Sequence, residues 1–335
     1  MGSFEPTRLL VTGGAGFIGS NLVRSLLEGA SRVERVVVLD ALTYAGHRAN
    51  LDGIADPRLV FVYGDICDRA LVERLFAEHA LDSVFHLAAE SHVDRSIESS
   101  GVFVQTNVTG TFTLLDVALR AWGEHPGSRR FVHVSTDEVF GALGATGLFT
   151  ENSPYAPNSP YAASKASSDL LARAYVKTYG LPVVVTNCCN NYGPYQLPEK
   201  LIPLMITNAA HDLPLPVYGE GKQIREWLHV ADHCAALTAA MTVGAPGESY
   251  NFGSGEELDN MALVERIADL VDGALGRPSG RSRALIRFVP DRKGHDFRYA
   301  IDSTKARTAL AWTAARTLER ELAETVHWYV DRLRR

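Results

Sequence analysis

Only four cysteines occur in 335 residues, Cys67, Cys188, Cys189 and Cys234, and none stands in a C-x-x-C spacing. That scarcity excludes a disulfide framework and a zinc ribbon, and no metal site is expected. No apolar run approaches the about 18 residues of a membrane span, and Leu9-Leu10-Val11 leads into a glycine-rich turn rather than a signal region. Excess positive charge is missing too. The formal charge is −6, which argues against nucleic acid or anionic membrane as a general partner. Repeats and low-complexity stretches are absent. What is present, 46% apolar and 21% charged residues, suits an ordinary globular core. A soluble protein of a reducing compartment, the cytoplasm, is expected.

The first half alternates short β-branched runs with longer helical periods, the pattern of a parallel sheet covered by helices. Strands are expected at 8–12, 35–39, 59–63, 83–87, 130–134 and 182–186, with helices at 20–27, 70–78, 104–121 and 161–179. Prolines at 194, 198, 203, 214 and 216 then break the alternation. The expected fold is α/β: a doubly wound parallel sheet (Rossmann) over 1–190, and a smaller C-terminal α/β substrate lobe over 191–335. Segments near 223–253 and 298–310 are expected to return to the first domain. Gly141, Gly144 and Gly147, followed by Pro154, Pro157 and Pro160, mark a loop passing over the site.

Gly13-Gly14-Ala15-Gly16-Phe17-Ile18-Gly19 follows the first strand and opens a helix. Glycines at 13, 16 and 19 permit a tight turn, close approach to a pyrophosphate and helix–strand packing. The free N–H groups of the first helical turn then meet the phosphates. Asp40 ends the second strand. A carboxylate there accepts ribose hydroxyls and repels a 2′-phosphate, favouring NAD over NADP; read blandly, it is a turn residue. Asp65-Ile66, after the third strand, can meet the adenine.

Tyr161 and Lys165 are four apart on a helical stretch and share one face. A phenol with a pKa of about 10 is a poor base at neutral pH. An ammonium ~5 Å away is worth about 3 kcal/mol at an effective dielectric of about 20, enough to lower it by some two units. Tyr161 can then take the proton of a sugar hydroxyl during oxidation, with Thr136 bonded to the same oxygen. Asp137 and Glu138 sit where a second reaction would need an acid and a base. Neighbouring strand residues face opposite ways, so both reach one substrate only if the strand has ended by residue 137. The carboxylate of Glu138 would raise the pKa of Asp137, as an acid requires.

Several stretches then carry a more specific likeness: Leu42-Thr43-Tyr44-Ala45-Gly46, Leu87-Ala88-Ala89-Glu90-Ser91-His92-Val93-Asp94-Arg95-Ser96, Ser135-Thr136-Asp137-Glu138-Val139 and Tyr161-Ala162-Ala163-Ser164-Lys165. To these are added Asn190-Asn191-Tyr192-Gly193-Pro194-Tyr195, Arg225-Glu226-Trp227 and Asp291-Arg292-Lys293-Gly294-His295-Asp296. With them the chain resembles the extended short-chain dehydrogenase/reductase superfamily and, within it, the dTDP-glucose 4,6-dehydratase family. Phe140 and Lys293 depart from that family's usual tyrosine and proline. The resemblance implies NAD and a cycle on the glucose: oxidation at C4 by Tyr161 and the cofactor, removal of the C5 proton by Glu138, protonation of the C6 hydroxyl by Asp137, and reduction at C6. It implies a place in deoxysugar biosynthesis and a homodimer pairing the helices near 104–121 and 161–179.

By the same resemblance Leu42, Thr43, Leu87, Ala88, Ala89, Ser91, Thr106 and Asn191 join the cofactor site with Tyr161 and Lys165. Asn190, Lys200, Leu201, Arg225, Asn260 and the Asp291–His295 stretch surround the nucleotide, with Ser91 and Thr136 near the sugar. An acidic protein holding a pyrophosphate needs local cations, and Lys200, Arg225 and Arg292 are the candidates. Pro216-Val217-Tyr218 either packs on the base or forms a buried core strand. Three other readings compete. A nucleotide-hexose 4-epimerase shares the cofactor and the Tyr–Lys pair but has no use for Asp137 and Glu138. A GDP-mannose 4,6-dehydratase is disfavoured by Asp40 if that enzyme prefers NADP. A non-catalytic nucleotide-sugar sensor would have no reason to keep all four groups.

Overall fold

A computed structural model describes residues 3–28, 32–123, 126–291 and 294–334. In chain order its strands are β1 (Arg8–Thr12), β2 (Arg35–Asp40), β3 (Leu59–Tyr63), β4 (Ser83–His86), β5 (Arg130–Thr136), β6 (Val183–Cys188), β7 (Asn190–Tyr192), β8 (Leu215–Tyr218), β9 (Ile224–His229), β10 (Ser249–Phe252), β11 (Glu257–Asp259) and β12 (Ile286–Val289). The α-helices are α1 (Phe17–Glu28), α2 (Arg69–His79), α3 (Val93–Glu98), α4 (Ser100–Phe103), α5 (Thr111–Trp122), α6 (Pro160–Tyr179), α7 (Leu201–Ala210), α8 (Val230–Thr242), α9 (Asn260–Ala274), α10 (Thr304–Leu310) and α11 (Leu318–Leu333).

Seven strands form one sheet in the order β10-β6-β5-β4-β1-β2-β3, parallel at every pairing. The order reverses between β1 and β4, so a crevice opens at the carboxyl ends of those strands, where doubly wound sheets take their ligands. Leu9–Val11, Val36–Leu39 and Val183–Val184 are fully enclosed. Both faces of the sheet are covered, one by α1 and α8, the other by α2, α5 and α6. That double cover is why these strands read as continuous apolar runs rather than alternating ones.

After β6 the chain builds a second core from α7, α9, α11, β8 and β9, and β10 then pairs with β6 in the large sheet. Two small sheets, β11-β9-β7 and β12-β8, complete the strands; residues 298–301 lie outside all three sheets and make isolated bridges to Leu143, Phe149 and Ile224. Phe149, Tyr299 and Ile301, with Leu143 against them, pack in the core of the large sheet beside α1 and α8, as do Ala306 and Leu310 of α10, so the loop expected over the site is tied to that core.

Two expectations need correction. The helix expected at 104–121 is broken: Val104–Gly110 is a π-helix between α4 and α5. Asn107 is buried there, its side chain bonded to the backbone of Glu90 and to Ser164 Oγ. Any Cβ on Gly110 would lie 2.4 Å from Ile66. The wider turn lets the helix follow these fixed neighbours. Secondly, Ser100–Trp122 is a 23-residue helical stretch long and apolar enough by composition to cross a membrane, with half of its most apolar window buried. It packs on α2 and α6, and core helices are apolar for that reason.

Candidate active site

The cavity at the switch point starts with glycine. Gly13 has a φ of +68°, and a Cβ on it would lie 2.7 Å from the Ala88 nitrogen; one on Gly19 would lie 2.2 Å from the Gly13 carbonyl oxygen. Turn, helix and β4 therefore approach more closely than any side chain allows. Helix α1 has no acidic residue in its first turn, leaving first-turn N–H groups that no helical carbonyl can reach. Gly13, Gly16, Phe17, Ile18 and Gly19 all line the cavity. This is a cradle shaped for a phosphate group.

Asp40 is buried at the cavity wall. Its carboxylate accepts from the Ala15 and Leu42 backbone, both at 2.8 Å, and burial holds its pKa above the ordinary carboxylate value. It is thus a turn residue, yet a carboxylate has lone pairs to spare for a ligand hydroxyl. Leu42 has a φ of 48°, a left-handed conformation that the bond to Asp40 supports. Leu42 does not line the cavity, whereas Thr43, Asp65, Ile66, Leu87, Ala88, Ala89, Ser91, Thr106 and Asn191 do. Thr106 projects from the π-helix, so that irregular turn serves the cavity wall.

At the other end β5 stops at Thr136 and a 3-10 turn begins at Asp137. The strand does end where both carboxylates need it to end. Thr136 caps the turn, accepting from the Glu138 N–H at 3.3 Å. Thr136 and Glu138 line the cavity. Asp137 lies just behind it, 2% exposed, with Oδ2 buried and without a hydrogen-bond partner among the described residues. Burial first, then the charges of Glu138 and Glu226, raise its pKa far above the usual carboxylate range. Such a group holds its proton.

Helix α6 starts with Ser159 capping the Ala162 N–H and Pro160 in its first turn. Tyr161 and Lys165 follow on its buried face, and both line the cavity. Here the electrostatics differ from the sequence expectation. Burial, then Glu138 and Cys188, push the Tyr161 phenol well up, opposed by a hydrogen bond with Thr136. The Lys165 ammonium donates to the Val134 carbonyl at 2.8 Å, and burial lowers its own pKa. Desolvation beside two carboxylates outweighs the single ammonium on which the sequence reading relied.

Among the nucleotide candidates, Asn190 and Lys200 line the cavity. Lys200 donates to the Ser91 carbonyl at 3.0 Å. Leu201 starts α7 and packs on the second core. Arg225 is nearly buried, stacks over Tyr299 at 4.4 Å and donates to the carbonyls of Ile224, Asp296 and Phe297. Its charge partly offsets the rise in the Asp137 pKa, and the cavity wall does not include it. Asp291 accepts from Gln223 Nε2 at 2.9 Å and from His295 Nδ1 at 2.6 Å, and Tyr218 meets the His295 ring edge-on. Asn260 opens α9 beside Gln223. Arg292 lies outside the described residues. Val217 is a correction: it is 2% exposed inside the second core, so it cannot pack on a base. Pro216 is partly buried and Tyr218 exposed on the same strand, because helices α7 and α9 cover only one face of β8.

Sequence reasoning passed over Gln196, Leu197, Cys188 and Cys189 in the wall, and Tyr299, buried near Glu138. None carries a local pattern that marks it. Phe140, the departure noted above, stacks on Phe149 at 5.3 Å and meets Tyr155 edge-on, a packing role for which a hydroxyl is unnecessary.

A family model described as GDP-mannose 4,6 dehydratase matches residues 10–325. A dTDP-glucose 4,6-dehydratase of Xanthomonas campestris pv. campestris (strain B100) is 56% identical over 329 residues, covering 96% of this chain and 92% of that one. Its counterpart from Neisseria meningitidis serogroup B (strain ATCC BAA-335 / MC58) is 54% identical over 333 residues, covering 97% and 93%. The crystal structure of DesIV, a dTDP-glucose 4,6-dehydratase from Streptomyces venezuelae with NAD bound, superimposes with a TM-score of 0.89 at 51% identity, covering 97% of each chain.

Proposed function

This chain belongs to the dTDP-glucose 4,6-dehydratase family, and we propose from that premise and from its site that it converts dTDP-glucose to the 4-keto-6-deoxy sugar with NAD as cofactor. The observation that carries the reading is the Thr136–Glu138 turn: a protonated, buried Asp137 and a cavity-lining Glu138 placed beside Tyr161 and Lys165. A 4-epimerase needs only the second pair.

The glycine turn, Asp40, Asp65, Ile66, Thr106, Tyr161 and Lys165 would hold the cofactor. Bound NAD supplies the oxidant for C4, a positive charge beside Tyr161, and once reduced the reductant for C6. Tyr161 takes the C4 hydroxyl proton, and Thr136 bonds the same oxygen. Lys165 holds a positive charge one helical turn behind the phenol. The new ketone acidifies the C5–H, and Glu138 removes that proton. Asp137 gives its proton to the C6 hydroxyl, which leaves as water; C5 is then reprotonated. Lys200 meets the pyrophosphate, supported by its place in the wall. Acid and base are kept distinct by burial: Asp137 is enclosed and Glu138 is not.

Two substitutions probe the cofactor site and the acid in turn. Asp40→Ala should weaken NAD binding roughly tenfold or more and relax discrimination against NADP, since one acceptor and one repulsive charge vanish. Equilibrium titration of both cofactors checks it; an unchanged preference would leave Asp40 a turn residue only. The folded pKa of Asp137 is raised, so its stabilising effect is complete below about pH 4 and is lost as pH rises through the folded value. Asp137→Asn should therefore gain melting temperature over the parent as pH goes from about 5 to 8, by roughly 2 °C or more, while dehydration falls. A pH-independent difference in melting temperature would show that Asp137 does not retain its proton.

The exposed apolar side chains of α3 to α6 support a homodimer. Ile97, Val102, Val104, Phe112 and Leu170 are between 41% and 56% exposed, and exposed apolar groups on packed helices favour a partner. Sedimentation should give a dimer, and Val104→Glu with Leu170→Glu should give monomer; a monomeric parent at micromolar concentration removes the proposal. The four free cysteines support a cytoplasmic location.

A further inference from the structure

Behind the reacting groups lies a buried carboxylate that the mechanism above does not use. Asp169 is 0% exposed on α6, one turn beyond Lys165 as Lys165 is one turn beyond Tyr161. Its Oδ1 accepts from His133 Nε2 at 3.0 Å. Its Oδ2 accepts from Ser135 Oγ at 2.8 Å, from Tyr155 OH at 2.8 Å and from Asn187 Nδ2 at 3.4 Å. The Asn187 amide also donates to the Thr136 carbonyl at 3.0 Å. One carboxylate thus joins α6, the end of β5, β6 and the loop that carries Tyr155. All four border the Thr136–Glu138 turn or the helix opposite it.

A fully buried carboxylate with four donors stays ionised, and its pKa is held below the ordinary value by His133, Lys165 and Tyr155 despite burial. The other titratable groups around Lys165 are neutral or distant from that role. His133 on β5 and His86 on β4 are driven neutral by burial. The Cys188 thiol on β6 and the Tyr161 phenol are pushed up, and Asp137 retains its proton. Glu138 faces Tyr161 across the cavity. An ammonium with one backbone acceptor inside a protein needs a countercharge.

We propose that Asp169 is a positioning residue of the reaction: the buried countercharge of Lys165, and the clamp that fixes the Thr136–Glu138 turn against α6. This rests on Lys165 serving Tyr161 as described above. Without Asp169 the buried Lys165 loses its proton more readily, and Tyr161 loses the positive charge behind it.

The test compares kcat and KM across pH for the parent holoenzyme, Asp169→Asn and Tyr155→Phe, the last removing one donor while keeping the charge. Turnover of dTDP-glucose by the parent checks the underlying function separately. Asp169→Asn should lower kcat roughly tenfold or more with KM within about threefold. The alkaline limb of its kcat profile should move down by about one pH unit or more. Tyr155→Phe should leave that limb in place. A folded Asp169→Asn whose alkaline limb matches the parent overturns the proposal. Should that variant be too unstable to assay, Lys165→Met/Asp169→Asn decides, because removing both members of a buried pair costs less than removing one. A double variant that melts above the single one supports the pairing; one no more stable than the single one overturns it.

Discussion

Glu138→Gln should stop the reaction after oxidation, leaving bound reduced cofactor visible as near-ultraviolet absorbance that decays slowly. The base for the C5 proton is gone, and a positioned base contributes roughly 10²–10⁴-fold, so dehydration should fall by about that much. Oxidation at C4 should survive, for an electrostatic reason. Glu138 is the foremost charge raising the Tyr161 phenol, and neutralising it makes Tyr161 a readier base. The same change removes one charge that raises the pKa of Asp137, but burial, the larger cause, still leaves that acid its proton. The loss therefore falls on the C5 base and on elimination. Stopped-flow absorbance and quenched-flow product analysis separate the steps. Dehydration at the parent rate, with no absorbance rise, would take the C5 base away from Glu138.

Tyr161→Phe should instead block the first step, with no absorbance on mixing with substrate and turnover reduced by roughly 10²–10⁴-fold. The ring packs against Phe103 with centroids 6.4 Å apart, and phenylalanine keeps that contact, so the fold should persist. The contrast between the two variants is the informative part, since one accumulates reduced cofactor and the other never forms it. Because the phenol is raised by burial, the parent should lose activity as pH falls, when a proton is harder to remove from Tyr161. Residual turnover within about twofold of the parent would show that another group takes the C4 hydroxyl proton.

The large sheet was legible because its strands are covered on both faces, which leaves unbroken apolar runs such as Val36-Val37-Val38-Leu39. The glycine turn was legible because a backbone approach that excludes every Cβ restricts three positions at once. The catalytic turn was legible through a geometric condition, that β5 end before Asp137, which the 3-10 turn meets. The resemblance supplied the rest of the reaction. Electrostatics were not legible: a Tyr–Lys spacing shows that two groups are close but not how deeply they are buried, and burial decided the direction of the Tyr161 shift. Val217 was ambiguous because a four-residue strand has apolar residues on both faces, and which face is covered depends on α7 and α9, distant in sequence. The Asp169 network joins residues 133, 135, 155, 169 and 187, and no local pattern connects them. The break in the 104–121 helix hides similarly, being set by Glu90 and Ile66 on other segments.

The most direct test of the central claim is mass spectrometry of dTDP-glucose incubated with the NAD-loaded protein in deuterated water. The product should be lighter by one water and carry one solvent deuterium at C5, because Glu138 exchanges that proton while C6 receives its hydrogen from within the site. An unchanged sugar mass accompanied by inversion at C4 would contradict it, and would make the Tyr161–Lys165 pair the machinery of an epimerase.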